Sequence, residues 1–212
     1  MQRCVIIGGA KINNYEFVRG QIHADDYIIY CDSGLAHREH LCLAPNLVIG
    51  DFDSHASVTG DFETIVLPCE KDDTDTVFAV KEALKRGFSV FILLGVVGER
   101  FDHSLANVAL LLLLQNSSAK GYIVDDYSIM ELVGKQPVYV EDDCRYFSLL
   151  AIAEVAEEVD ITGAKYPLCH ATITPSYQFG VSNEVLRGKS AKITVGKGQL
   201  LLLRIFHDAL HE

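Results

Sequence analysis

Through the first half of the chain, short and almost wholly apolar runs alternate with stretches of helical periodicity. The runs fall at 3–7, 27–30, 47–49, 64–67 and 90–94, and the helical stretches at about 14–21, 35–41, 74–86 and 103–114. A strand that is apolar at successive positions has both faces to bury, which is the condition of a parallel strand under helical crossovers. Beyond about residue 119 the pattern changes. Short β-type runs follow at 122–124, 128–133, 138–140, 146–151, 159–162, 191–195 and 200–205, with Gly134, Gly163, Gly180, Gly188 and Gly198 as punctuation. No long helical period interrupts them, which predicts an antiparallel sandwich. The expected organisation is an α/β domain with a mainly parallel sheet over 1–120, then an all-β antiparallel sandwich domain over 121–212.

Composition excludes several alternatives. With 49% apolar and 22% charged residues in 212, the chain has enough apolar surface to fold. The formal net charge of -11 argues against binding nucleic acid or an anionic membrane, both of which require basic patches. No signal-peptide pattern opens the chain, and the longest apolar run, near 108–114, is too short to span a bilayer. The six cysteines are scattered, with no C-x-x-C pair, so neither a zinc site nor a dithiol motif is signalled. A reducing cytoplasm is the expected location.

Candidate chemistry lies where the predicted parallel strands end, since ligands of such sheets bind beyond the carboxyl ends. Those ends are repeatedly acidic. Asp32 follows the second run, Asp51 and Asp53 the third, Asp72, Asp73 and Asp75 the fourth, and Asp102 the fifth, beside Arg100. Gathered carboxylates repel one another unless a cation sits among them. Magnesium takes oxygen ligands and commonly binds through one or two carboxylates together with substrate phosphates. An acidic protein that binds an acidic polyphosphate through magnesium reconciles the charge with the motif. Each piece alone has a plainer reading: a turn for Asp51 and Asp53, and helix capping for Asp73, Asp75 and Asp102. Gly8-Gly9-Ala10 permits close backbone approach to a ligand but is neither a dinucleotide fingerprint nor a P-loop.

Five segments together resemble the thiamine pyrophosphokinase family. They are Leu-Val-Ile-Gly-Asp-Phe-Asp-Ser at 47–54, Lys-Asp-Asp-Thr-Asp-Thr at 71–76, Gly-Glu-Arg-Phe-Asp-His-Ser-Leu-Ala-Asn at 98–107, Thr-Gly-Ala-Lys-Tyr-Pro-Leu at 162–168 and Val-Ser-Asn-Glu at 181–184. The resemblance implies a homodimer with shared active sites that transfers pyrophosphate from ATP to thiamine, giving thiamine diphosphate and AMP. It implies magnesium on Asp51, Asp53 and Asp75, with Asp102 nearby. Asp73 and Thr74 would lie beside the phosphates and thiamine, and Arg100 would contact the phosphate chain. Asp32, Asn107, Ser182 and Asn183 would serve substrate binding. The chain departs from the family in reading Asp-Ser-Gly-Leu at 32–35 and in carrying no tryptophan to wall the thiamine.

Pyrophosphoryl transfer of this kind passes through a loose transition state, so positioning and charge neutralisation dominate. Asp73 and Asp102 are both candidates to accept the alcohol proton. Two rival functions remain open from the residues alone. A haloacid-dehalogenase-type phosphatase would use Asp51 as nucleophile and Asp53 as acid/base. A non-catalytic nucleotide or thiamine sensor would keep the fold without turnover.

Overall fold

The computed structural model describes residues 2–51, 62–68, 70 and 72–206. The chain divides into two compact units between Asp126 and Tyr127.

In the first unit, β1 (Arg3–Ile7), β2 (Tyr27–Cys31), β3 (Leu47–Gly50), β4 (Glu63–Val66), β5 (Val90–Leu94) and β6 (Lys120–Val124) lie in the order β4-β3-β2-β1-β5-β6. Every pairing among them is parallel. The central strands are buried at nearly every position, as the apolar runs predict. Edge strand β4 departs from this, with Val66 68% exposed. Helices α1 (Tyr15–Arg19), α2 (Arg38–Leu41), α3 (Asp75–Lys85), α4 (Phe101–Val108) and α5 (Leu110–Asn116) supply the crossovers. Helix α3 buries Ala79, Val80 and Ala83, and packs on β1, β2 and β3.

Three local features differ from the sequence expectation. The helical stretch at 35–41 begins as a 3-10 turn over Asp32–His37 before α2. The stretch at 103–114 is two helices meeting at Ala109. The run at 122–124, grouped above with the antiparallel domain, belongs to β6 and runs parallel to β5.

The second unit holds two antiparallel sheets. One is β7 (Ser128–Val133), β13 (Leu200–Ile205) and β9 (Tyr146–Leu150), in the order β7-β13-β9. The other is β11 (Leu168–Ile173), β10 (Ala156–Thr162), β12 (Ala191–Lys197) and β8 (Val138–Val140), in the order β11-β10-β12-β8. Val133, Phe147, Leu149, Leu200 and Leu202 of the first sheet share one core with Val140, Val159, Ile161, Ile173 and Ile193 of the second. Two inward faces meeting in one apolar layer make this a sandwich. Strand β11 has no counterpart in the sequence expectation. Its six residues do not alternate in burial, because a bulge interrupts the pairing with β10.

Candidate active site

The strand order places a topological switch between β1 and β5. From β1 the chain builds outward through β2, β3 and β4, then returns to the other side of β1 with β5. A crevice opens beyond the strand ends at such a point, and ligands bind there. Register keeps the carboxyl ends level: Ile7 lies beside both Tyr30 and Leu94, and Cys31 beside Ile49. The loops that leave these strands are therefore neighbours. Between them lies a cleft of about 490 Å³, walled by Gly8–Ala10, Asp32, Thr74, Asp75, Gly95 and Arg100 among others. That volume is ordinary for a small-molecule site.

Glycine permits the close packing of these loops. A Cβ on Gly34 would lie 2.2 Å from the Ile7 carbonyl oxygen, and one on Gly8 2.6 Å from that of Gly95. Both obstacles are backbone and cannot swing aside. The first turn is held further by Gly8 N–H donating to Leu94 O and Ala10 N–H to Gly95 O, each at 2.8 Å.

His37 supports the same loop from behind. It is buried, with Nε2 3.0 Å from the Ala10 carbonyl and Nδ1 2.7 Å from the Tyr15 hydroxyl. The carbonyl only accepts, so Nε2 carries the proton and Nδ1 accepts from Tyr15. Burial pushes the imidazole pKa below its ordinary 6.5, against the opposing pull of the Ala10 hydrogen bond. The unfolded chain thus binds this proton more readily than the folded one. The His37 contribution to stability is full above pH 6.5 and is lost as pH falls through the depressed folded value. Urea melts between about pH 5 and 8 should show that slope, and His37→Gln should flatten it. An identical slope in the variant would contradict this assignment.

The acidic residues divide. Asp32 follows β2 with φ at +33°, in the left-handed half of backbone space that a non-glycine residue rarely enters. Its Oδ1 is shielded from solvent and accepts no hydrogen bond from the described residues. It lies against Gly50, whose Cβ would come within 3.1 Å of that oxygen, so Asp32 adjoins the end of β3 where Asp51 begins. Asp75 opens α3 in the cleft wall, and its carbonyl lies 3.8 Å from the Cys31 thiol, which places it beside Asp32. Thr74 caps α3 by accepting from Val77 N–H at 3.3 Å, and it also lines the cleft. Asp53 lies outside the described residues.

Asp73 is held by Lys81 at 2.6 Å and is not among the residues of the cleft wall. Asp102 pairs with Arg100 at 2.6 Å, and both side chains are exposed. The Arg100 hydrogen bond holds the Asp102 carboxyl below the usual carboxylate range, which makes it a poor proton acceptor as arranged here. Arg100 itself reaches the cleft. Asn107 is buried and donates from Nδ2 to the Val96 carbonyl at 2.7 Å, fixing the loop after β5. Sequence reasoning passed over Lys11 and Ser104. Lys11 supplies a second cation to the cleft wall, and its only signal was its place directly after Gly-Gly-Ala. Ser104 Oγ accepts from Gly98 N–H at 3.0 Å and so closes the 98–104 loop.

Ser182 and Asn183 lie in the second unit, in a separate pocket of about 450 Å³ that Tyr166, Leu168, Phe179 and Val181 also line. Asn183 is buried. Its Oδ1 accepts from the N–H groups of Tyr166 and Glu184, and its Nδ2 donates to the Tyr166 carbonyl at 2.8 Å. Its amide is therefore occupied in shaping the pocket. Ser182 has φ at +57°, and its N–H donates to Ser148 Oγ at 3.0 Å. Tyr166, Phe179 and Val181 are 57%, 40% and 52% exposed around the opening.

Comparison with known proteins agrees with this division. A family model described as "Thiamin pyrophosphokinase, catalytic domain" matches residues 19–123. A second, "Thiamin pyrophosphokinase, vitamin B1 binding domain", matches 136–200. A thiamine pyrophosphokinase of Bacillus subtilis is 26% identical over 212 residues, covering 96% of this chain and 99% of that one. The crystal structure of thiamine pyrophosphokinase from Bacillus subtilis superposes with a TM-score of 0.84 at 23% identity, covering 97% of this chain and 100% of the other. That of thiamin pyrophosphokinase from Geobacillus thermodenitrificans gives 0.82 at 25% identity, with 98% and 99% covered. A switch-point cleft edged with aspartates, a sandwich pocket walled by aromatics, and both family models matching in that order lead to one assignment: the chain belongs to the thiamine pyrophosphokinase family.

Proposed function

We propose that this protein is a thiamine diphosphokinase, transferring the pyrophosphoryl group of ATP to the hydroxyethyl oxygen of thiamine to give thiamine diphosphate and AMP. The observation that carries the reading is the carboxylate-edged cleft at the switch between β1 and β5. ATP occupies this cleft, its phosphates against the Gly8–Ala10 turn. Thiamine lies against the aromatic wall around Ser182 and Asn183.

A hard divalent cation fits the first site. The donors are carboxylate oxygens, and Asp32 Oδ1 is shielded without a hydrogen bond from the described residues. Asp51, Asp53 and Asp75 would hold magnesium, with Asp32 beside them. When bound, the ion neutralises charge on the transferred phosphates and on the departing AMP. Arg100 offers a forked donor to phosphate oxygens once it exchanges Asp102 for substrate, and Lys11 adds a point charge. Release from Arg100 also returns the Asp102 carboxyl towards ordinary basicity, which favours it as acceptor of the alcohol proton. Asp73 instead keeps Lys81 at the rim.

A phosphatase with Asp51 as nucleophile is not favoured. Asp51 follows the third strand of the sheet, and both family models belong to the pyrophosphokinases. The proposal includes a homodimer that shares its active sites between subunits and works in the cytoplasm. Among the described residues no helix is long and apolar enough to cross a membrane. Light scattering that finds only monomer at assay concentrations would remove the dimer from the proposal. The reaction is tested by chromatography of products formed from ATP, magnesium and thiamine. AMP should appear in step with thiamine diphosphate. ADP with thiamine monophosphate as the first products would overturn the assignment.

A further inference from the structure

The bulge between β10 and β11 brings together three side chains that have no part in the proposed reaction. Val159 pairs with Ala171, and Ile161 with Leu168. Between these pairs β10 has one residue, Asp160, and β11 has two, Cys169 and His170. In an unbroken strand Cys169 and His170 would point to opposite faces. The extra residue and a His170 φ of +46° break that alternation and re-aim the side chains. A carboxylate oxygen of Asp160, Cys169 Sγ and a ring nitrogen of His170 consequently all lie within 4.8 Å of one another. The neighbours Val159 and Ile161 point into the core, so the three sit on the outer face of the sheet.

The two Asp160 oxygens differ in role. Oδ1 accepts the His170 backbone N–H at 2.9 Å, which orients the carboxylate. Oδ2 lies 3.4 Å from His170 Nδ1. Tetrahedral ligands at zinc-like bond lengths of about 2.0–2.1 Å stand about 3.3 Å apart, close to this spacing. Cys169 and His170 are exposed, so a cation can enter from solvent. A second grouping, His23, Asp25 and Asp26, is unsuited, because the Arg3 guanidinium already binds Asp26 at 2.8 and 3.0 Å.

We propose that Asp160, Cys169 and His170 form a binding site for a borderline-soft divalent cation, with zinc the best match and a fourth position left to water. Thiolate and imidazole favour zinc over magnesium, so the site is chemically distinct from the carboxylate cleft. Binding deprotonates the Cys169 thiol, releasing its proton to solvent, and ties edge strand β11 to β10.

The test uses the metal-free full-length chain in excess magnesium, titrated with zinc against a chromophoric chelator and separately with cobalt(II). One equivalent of zinc should bind. Cobalt should give a near-ultraviolet thiolate-to-metal band. Cys169→Ser should abolish that band, and Asp160→Asn and His170→Gln should each weaken zinc binding about tenfold or more. Cys42→Ser, which removes another exposed thiol, should change neither. Independently of any variant, zinc should shield Cys169 of the unaltered protein from iodoacetamide, read by mass spectrometry. A band that survives Cys169→Ser, or alkylation of Cys169 at the same rate with and without zinc, would overturn the site.

Discussion

Asp75→Asn is expected to lower turnover by about 100- to 1,000-fold, comparable to removing one preorganised charge-stabilising group from an active site. Asp75 lines the cleft at the start of α3, beside Asp32 and the end of β3. Asparagine keeps the shape but not the charge. The local cost to the helix is small, about 0.3–1 kcal/mol for a lost acid in the first turn. The fold should therefore survive, and thermal melts should show it. Rates measured across a magnesium titration separate the roles: a lost ligand shifts the magnesium optimum upward, whereas a merely structural change leaves it in place. An unchanged rate and optimum would remove Asp75 from the metal-binding set. Asp53, expected to share that role, lies in a segment whose geometry is not described, so Asp75 is the better-grounded choice.

Asn183→Ala is expected to cost about 2–4 kcal/mol of stability, three hydrogen bonds at about 0.5–1.5 kcal/mol each. The side chain is buried, and two backbone N–H groups and one carbonyl lose their partner. Urea denaturation reads that loss directly. The released segment carries Tyr166, part of the pocket wall, so thiamine should bind more weakly. A rise in KM for thiamine of about tenfold or more, with KM for ATP unchanged, is the expected kinetic signature, since loose positioning raises the cost of binding. Asn183→Asp keeps an oxygen for the two N–H groups but cannot donate to the Tyr166 carbonyl, and should fall between the two. Equal stability of Asn183→Ala and the unaltered protein would show that water replaces the amide. Equal loss for ATP and thiamine would place the effect outside the pocket.

The arrangement of elements followed from local pattern. Runs such as 3–7 and 90–94 are apolar at successive positions because both their faces are covered, and that requirement is written in adjacent residues. The change to short, turn-punctuated runs likewise announced the sandwich. Asp32, Asp51 and Asp75 were legible as candidate site residues because each stands within a few positions of a strand end or helix start, and parallel topology alone brings those ends to one edge.

Tertiary structure decided what depends on partners distant in the chain. β6 joined the parallel sheet although its sequence resembles the runs that follow it, since a strand's direction is set by its neighbour and not by its own pattern. Asp73 and Asp102 bear the same charge as Asp75, yet Lys81 and Arg100 hold their carboxylates in ion pairs. Asn183 reads as a ligand contact in a motif, but its amide is engaged by Tyr166, seventeen positions away. The bulge that gathers Asp160, Cys169 and His170 hid β11 from a period-2 reading, because one extra residue breaks the alternation on which that reading depends. Hydrophobic period is a property of neighbours in sequence, whereas hydrogen-bond partners, ion pairs and register are properties of neighbours in space.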